Sequence, residues 1–314
     1  MAEEKQVITF QPPVLENNDL SLQWWANGLA GQTVTKAELL IDGTPATTQT
    51  SLEPARGDAA CYMLMVDSSK SMKAFFKDSS VKQLLTSLIE RKPETHYLGI
   101  ALFAENWQLL SNPTQDKAAL KATLPQIEPA GDRTELLRFT LSALESLQTC
   151  PSTSYRKVLV ILTDGDAEDR AYTPESIMQT ARDKKIGVYG FGFKESTALQ
   201  FPRRMAEETG GTFVEPAAHM GQKRDTAVDD FYVGSNSGGD LKATLPELKA
   251  GQQVQLRLTL SDGQNLTQTV PLSLEPEAAL PGWKQEIIVI LPWLTPKQVD
   301  YLLWGLGSVD IWYR

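Results

Sequence analysis

The stretch YMLMVDSSKSM, residues 62–72, decides the fold class of this chain. Its first five residues are apolar, which is typical of a strand buried on both faces of a parallel sheet. The run ends at Asp67, and hydroxyl side chains and a lysine follow within four residues. A buried carboxylate needs compensation, because an unpaired buried charge is costly. The stretch therefore predicts a sheet whose strand ends carry a polar site.

Buried apolar runs alternate with amphipathic helical patterns after this stretch. The apolar runs are YLGIALFA at 97–104, KVLVILT at 157–163 and IGVYGFGF at 186–193. Between them, apolar residues recur three and four positions apart, as they do on the buried face of a helix. The first predicted helix carries Met72, Phe75, Phe76, Val81, Leu84, Leu85 and Leu88. Alternating strands and helices predict an α/β fold with a doubly wound, mostly parallel sheet covered on both faces.

The two flanks of the chain follow a different pattern. Residues 1–58 contain short strand-like runs, and short strands are predicted again after Pro216. The clearest is a hairpin at 254–270, whose apolar residues alternate with polar ones around an Asp-Gly turn. We expect an α/β domain over 59–218 that interrupts an all-β sandwich formed by 1–58 and 219–280. Two independent β modules would give the same pattern.

The final segment, residues 281–314, is rich in tryptophan, with Trp283, Trp293, Trp304 and Trp312. Thr295 followed by Pro296 is a good helix start. Packing of this helix on its own domain is the simpler interpretation. It could instead contact a membrane or a membrane protein, because Trp favours surfaces that are partly apolar and partly wet.

The composition limits the partners and the compartment. The chain has 314 residues and a formal net charge of −9, which argues against nucleic acid and anionic membranes as main partners. No apolar run reaches the roughly 18 residues that a membrane-spanning helix needs. The N-terminal MAEEKQVITF has no visible signal peptide, although its MA would suit the remainder of a removed one. We expect an exported, periplasmic or membrane-associated protein if a signal was removed, and a cytoplasmic one otherwise.

Cysteine and histidine are scarce, with two of each, and a zinc site needs about four such ligands. Cys61 begins the first central strand, and Cys150 precedes the strand predicted beside it. Both should therefore lie at the end of the sheet opposite the polar loops. Two buried thiols are the stronger expectation, and a disulfide is sterically feasible. A disulfide would indicate export.

Three polar loops are candidates for a site at the carboxyl ends of the strands, where ligands bind in parallel α/β sheets. They are DSSKS after the first central strand, GDRT at 131–134 and TDGD at 163–166. If the strands ending at Val66 and Leu162 are neighbours, two loops meet where the strand order reverses, and the third can reach over them. Two carboxylates and three hydroxyls form an all-oxygen set that suits Mg²⁺ or Mn²⁺. The set is Asp67, Ser69, Ser71, Thr134 and Asp164.

These five residues resemble the metal-ion-dependent adhesion site of the von Willebrand factor A family, which is Asp-x-Ser-x-Ser, then a Thr, then an Asp. All five positions match in order, and the resemblance covers residues 59–218. It implies a doubly wound domain that binds a protein through Mg²⁺, Mn²⁺ or Ca²⁺, with an Asp or Glu of the partner at the open metal position. Lys70 departs from the small residue common there, and its ammonium would repel the cation unless it points to solvent. Asp132 and Asp166 are not expected ligands.

Other interpretations of these residues stay open. Ser and Asp before a helix can simply cap it, and the site could be a degenerate one that binds no metal. A serine–lysine hydrolase is disfavoured, because Ser-x-x-Lys spacing is absent from this loop, and we expect no enzymatic activity. A different class of function is a structural component of a membrane-associated complex. In that case the chain docks through residues 281–314, and the metal site is incidental.

Overall fold

Strands and helices alternate through the middle of the chain, and strands dominate its flanks. The computed structural model describes residues 7–11, 13–27, 29, 32–46, 50–54, 59–151, 156–165, 167–169, 172–194, 197–215, 217, 221, 223–249 and 251–272. The strands are β1 (Val7–Phe10), β2 (Val14–Glu16), β3 (Asp19–Asn27), β4 (Val34–Ile41), β5 (Thr44–Pro45), β6 (Thr50–Pro54), β7 (Cys61–Asp67), β8 (Tyr97–Phe103), β9 (Trp107–Thr114), β10 (Lys157–Thr163), β11 (Ile186–Gly192), β12 (Phe213–Val214), β13 (Gly239–Thr244), β14 (Val254–Leu260) and β15 (Asn265–Thr269). The α-helices are α1 (Lys73–Lys77), α2 (Ser80–Arg91), α3 (Lys117–Thr123), α4 (Leu136–Ser146), α5 (Pro174–Asp183), α6 (Gln200–Thr209) and α7 (Lys223–Asn236).

The central sheet has the strand order β12-β11-β10-β7-β8-β9. Its first five strands run parallel, and β9 is antiparallel to β8. The chain continues from β7 to β8 on one side and later places β10 on the other side, so the strand order reverses between β7 and β10. The predicted α/β fold with a doubly wound, mostly parallel sheet is confirmed, and the two predicted site strands are neighbours.

Side chains of β7 alternate between two apolar cores, one on each face of the sheet. Tyr62, Leu64 and Val66 pack with apolar residues of α2 and α7. Met63 and Met65 pack on the opposite face, with apolar residues of α4, α5 and α6. Each fully buried side chain of this size contributes roughly 1.5–3 kcal/mol to folding. Burial on both faces explains why the sequence of this strand is apolar without interruption.

The first predicted helix is not continuous, which corrects the sequence-based expectation. A 3₁₀ turn at Lys70–Met72 leads into α1, and α2 starts only at Ser80. The break lies at Ser79, whose backbone has the left-handed value φ = 67°. Asp78 accepts a hydrogen bond from the backbone N–H of Ser80 at 2.9 Å and so caps the second helix. The apolar spacing continues across the break, and for this reason the sequence pattern did not reveal it.

Helix α7 also corrects the prediction, which placed short strands and no helix between residues 219 and 280. Its buried residues include Val228, Phe231, Tyr232 and Ser235, at the spacing expected for one helix face. Gly234 within the helix and the exposed Val233 beside it weaken that pattern in the sequence. The helix packs on the core of the central sheet, and β13 follows it directly.

The flanking strands form two antiparallel sheets. One has the order β1-β3-β13-β6 with β2 beside β3, and the other has the order β15-β14-β4-β5. Each sheet joins strands that precede the α/β segment to strands that follow it, so that segment is an insertion. The chain leaves the first sheet at Pro54 and re-enters it at Gly239, and these two residues are paired across the β6–β13 ladder. The predicted sandwich and the boundaries at residues 58, 218 and 280 remain predictions.

An arginine and two tryptophans connect the insertion to the flanking strands. The guanidinium carbon of the buried Arg156 lies 4.5 Å from the ring centre of Trp25, and the same side chain donates to the carbonyl of Trp24 at 3.0 Å. Thr9 donates its hydroxyl to the carbonyl of Gly210 at 2.6 Å. A Cβ on Gly210 would lie 2.1 Å from the Trp25 ring, so only glycine allows this approach. These contacts fix the insertion against β1 and β3.

Cys61 and Cys150 form a disulfide with a Cα–Cα distance of 6.1 Å, so the expectation of two free thiols is wrong. A 3₁₀ turn at Leu147–Thr149 follows α4 and brings Cys150 to the start of β7. As predicted, the pair lies at the opposite end of β7 from Asp67.

Residues 281–314, His219 and Asp166 lie outside the described residues, so the predictions about them remain predictions. Among the residues that are described, no helix combines the length and the apolar character needed to cross a bilayer.

Candidate metal centre

Asp67 and Asp164 lie side by side at the carboxyl edge of the central sheet. Asp67 is the last residue of β7, and Asp164 directly follows the neighbouring β10. Both side chains are buried. This is the position where the strand order reverses, which is the usual ligand site of an open parallel sheet.

A chain of hydrogen bonds connects four of the five predicted ligands. The backbone N–H of Ser69 donates to Asp67 Oδ1 at 2.8 Å, and the hydroxyls of Ser69 and Ser71 are 3.0 Å apart. Ser71 donates to Asp164 Oδ1 at 2.7 Å. The structure therefore brings Asp67, Ser69, Ser71 and Asp164 together at the end of the sheet.

Asp67 is held by a residue that the sequence interpretation did not name. Thr163 donates its hydroxyl to Asp67 Oδ2 at 2.6 Å. Burial raises the pKa of Asp67 to about 6, the hydrogen bonds from Ser69 and Thr163 oppose that shift, and the charge of Asp164 adds to it. Thr163 could have been found from the sequence, because it follows Leu162, the neighbour of Val66 in the β10–β7 ladder.

The two oxygens of Asp164 have different surroundings. Oδ1 accepts the hydrogen bond from Ser71. Oδ2 is buried and forms an ion pair with the ammonium of Lys194. Lys194 was also missed, although β11 ends at the same edge of the sheet two residues earlier.

Thr134 belongs to a loop that lies against the Asp67–Ser71 loop. Gly131 of this loop bridges to Ser69 and accepts a hydrogen bond from Lys70 N–H at 2.8 Å. Thr134 itself is buried. Within the described ranges, no hydrogen bond joins its hydroxyl to the other four side chains. The structure thus places the loop of the fifth predicted residue beside the site, and its role as a ligand remains a prediction.

The segment after Asp164 holds the Thr134 loop in place. The backbone N–H of Glu168 donates to the carbonyl of Thr134 at 2.9 Å. Asp169 accepts from the N–H groups of Leu137 and Arg138, at 3.1 and 2.7 Å, and so caps the N-terminus of α4 from another loop. These contacts were not visible in the sequence, because they join loops about thirty residues apart.

The side chains of Lys70 and Ser68 point away from the site. Lys70 forms an ion pair with Asp132, and these side chains are 69% and 61% exposed. Ser68 donates its hydroxyl to the carbonyl of Phe103 at 3.1 Å. In the part of the chain that is described, no cluster of three or more His, Cys, Asp or Glu side chains could hold a metal. A metal at this edge would therefore need hydroxyl ligands in addition to the two carboxylates.

The model of the von Willebrand factor type A domain family matches residues 63–225. The chain belongs to this family. Domains of the von Willebrand factor A family mediate protein–protein interactions, and some of them do so through a metal ion.

Several known proteins are similar to this chain with its von Willebrand factor A domain. The human collagen alpha-6(VI) chain is 24% identical over 181 residues, which are 55% of this chain and 8% of that protein. A solved structure of a von Willebrand factor type A protein from Catenulispora acidiphila has a TM-score of 0.50 and 14% identity, covering 85% of this chain and 71% of that one. An aerotolerance-related membrane protein from Bacteroides fragilis has a TM-score of 0.47 and 18% identity, covering 57% of this chain and 99% of that one. The Catenulispora structure shows the same fold.

Proposed function

We propose that this chain is a protein-binding module that holds a divalent cation and uses it to bridge to an acidic side chain of a partner protein. The observation that carries the proposal is the hydrogen-bonded chain from Asp67 through Ser69 and Ser71 to Asp164, at the reversal point of the sheet. Asp or Glu on the partner is the expected contact, because carboxylate oxygen is a ligand that hard cations prefer.

The residues present fit such a cation. Asp164 Oδ2 is a buried carboxylate oxygen whose counter-charge is the partly exposed ammonium of Lys194. Two buried carboxylates lie together, and a divalent charge would compensate both. The donor set contains only oxygen, which suits Mg²⁺ first and Mn²⁺ or Ca²⁺ next. Asp67, Ser69, Ser71, Thr134 and Asp164 would hold the ion, and the ion would supply an open position for the partner's carboxylate.

The chemistry of the site supports binding and not catalysis. Ser71 donates its hydroxyl to Asp164, and Ser69 shares a hydrogen bond with Ser71, so neither hydroxyl is paired with a general base of the histidine or lysine type. His96 precedes β8, at the opposite end of the sheet from the site. We therefore propose that the protein is not an enzyme.

The structure supports a location outside the cytoplasm. The Cys61–Cys150 disulfide would persist in an oxidising environment and is rare in cytosolic proteins. The proposed location is therefore outside the cytoplasm or at a membrane surface.

Capture of partner proteins tests the proposed function. Wild-type chain in Mg²⁺ should retain a partner, whereas EDTA or Thr134→Ala should remove it. In EDTA, Thr134→Ala should unfold at the same temperature as the wild type. Ser142→Ala is a matched control, because this hydroxyl donates within α4 and lies outside the site. Partner binding that persists in EDTA would contradict the proposal. Loss of binding only on deletion of residues 281–314 would instead support the structural-component alternative.

Gly131→Ala should weaken Mg²⁺ binding by about tenfold. This is the lower end of the loss in metal affinity that follows mutation of residues supporting metal ligands. A Cβ at this position would lie 2.2 Å from the Cβ of Ala104, so the loop that carries Thr134 would have to move. Isothermal titration with MgCl₂ measures the change. Gly165→Ala is the control, since a Cβ there meets nothing within 4 Å. Equal affinities for the two variants would show that the position of the Thr134 loop does not matter for the cation.

A further inference from the structure

Lys194 lies at the same edge of the sheet as the candidate metal centre. It comes two residues after the end of β11, which is the parallel neighbour of β10. The backbone N–H of Phe193 donates to the carbonyl of Thr163 at 2.9 Å and continues the pairing of these strands. This pairing brings the ammonium of Lys194 into an ion pair with Asp164.

The two partners of this ion pair differ in exposure. The side chain of Asp164 is 0% exposed, whereas that of Lys194 is 46% exposed. The contact is made at Oδ2, whereas Oδ1 accepts the hydrogen bond from Ser71. A buried carboxylate without a counter-charge would destabilise the folded chain, and the partly exposed lysine can supply this charge from the rim. Its exposed position also means that the ammonium can withdraw into solvent without unfolding the sheet.

Asp67 is compensated differently. Its two oxygens accept hydrogen bonds from Ser69 N–H and from the Thr163 hydroxyl. Of the two carboxylates, Asp164 is therefore the one whose negative charge is balanced by a partly exposed ammonium, that of Lys194.

We propose that Lys194 is a built-in counter-ion that occupies Asp164 in the metal-free protein and is displaced when a divalent cation binds. The inference rests on the proposed function and adds a regulation of that same site. An ammonium and a divalent cation at one carboxylate oxygen repel each other, so metal binding must release the lysine. Lys194 should consequently lower the affinity for the metal while it stabilises the metal-free fold.

Lys70 provides the matched control. It is a second lysine in the loops of this site, and its ammonium pairs with the exposed Asp132. Lys70→Met and Lys194→Met remove the same charge from the same edge of the sheet. Only Lys194→Met removes the partner of a buried carboxylate, that of Asp164.

Calorimetric titration with MgCl₂ and thermal unfolding in EDTA test the proposal. We expect Lys194→Met to bind Mg²⁺ at least tenfold more tightly than the wild type and to unfold several degrees lower when metal-free. Lys70→Met should change the dissociation constant by less than about threefold, and Lys194→Arg should resemble the wild type. Lys194→Gln is the second variant, should Lys194→Met fail to fold.

The outcomes separate this inference from the proposed function. If the wild type binds Mg²⁺ and Lys194→Met binds it no more tightly than Lys70→Met, the counter-ion role is wrong and the metal site stands. If neither the wild type nor any of the variants binds Mg²⁺ or Mn²⁺, the proposed function and the proposed displacement of Lys194 both fail. In that case, a lower unfolding temperature of Lys194→Met in EDTA would still support pairing with Asp164, and an unchanged one would exclude it.

Discussion

Replacing Asp67 by Asn should abolish binding of divalent cations and leave the fold intact. The substitution removes one of the two carboxylates and keeps an oxygen that can accept the hydrogen bond from Ser69 N–H. Wild-type protein at a Mg²⁺ concentration of about 100 times Kd should gain roughly 2.7 kcal/mol of unfolding free energy. The variant should gain none. In EDTA the variant should be at least as stable as the wild type, because burial disfavours the charged form of Asp67 and raises its pKa.

Thermal unfolding in MgCl₂ and in EDTA measures both effects. Asp132→Asn is the control, since this carboxylate is 61% exposed and pairs with Lys70 outside the proposed ligand set. It should retain the full Mg²⁺-dependent stabilisation. If Asp67→Asn retained it as well, the cation would bind elsewhere, and the proposed metal centre would be wrong.

Removal of the Cys61–Cys150 disulfide should cost about 4–5 kcal/mol of unfolding free energy, the loop-closure value for a sequence separation of 89 residues. Urea unfolding of wild-type chain with and without a thiol reductant measures this loss. The affinity for Mg²⁺ should not change, because the disulfide lies at the opposite end of β7 from Asp67.

The double variant Cys61→Ala/Cys150→Ala distinguishes the effect of losing the disulfide from any other effect of the reductant on stability. It should match the reduced wild type in stability and should not respond to reductant. A loss below about 1 kcal/mol in both experiments would mean that the folded chain is not stabilised by this bond, and would remove the main argument for an oxidising compartment.

The central sheet and most of the candidate site could be predicted from the sequence. The run from Tyr62 to Val66 is buried on both faces, which only a covered parallel sheet requires, and strand ends in such a sheet share one edge. That rule was sufficient to predict that Asp67 and Asp164 lie close together. It did not reveal that Thr163, within the TDGD loop, donates to Asp67, or that Lys194 after β11 reaches Asp164. The pairing of Lys194 with Asp164 can be recognised only when the position of the end of β11 in the sheet is known.

Elsewhere the sequence was insufficient for physical reasons. Ser79 takes a left-handed backbone conformation without being glycine, so the break before α2 had no visible signal. Helix α7 has Gly234 within it and Val233 exposed, which weakens its apolar stripe. The disulfide depends on the path of the chain between Cys61 and Cys150, and spacing along the sequence does not determine this distance.

The pairing of Pro54 with Gly239 has a mechanical consequence. The inserted segment begins and ends at one rung of a β-ladder, so its base is closed by hydrogen bonds between β6 and β13. Tension applied to the chain on either side of the insertion would have to unzip this ladder from its Thr50–Ala243 end before it stretched the chain between Pro54 and Gly239. The carboxyl edge of the central sheet is therefore shielded from a pull along the polypeptide until these backbone hydrogen bonds have opened.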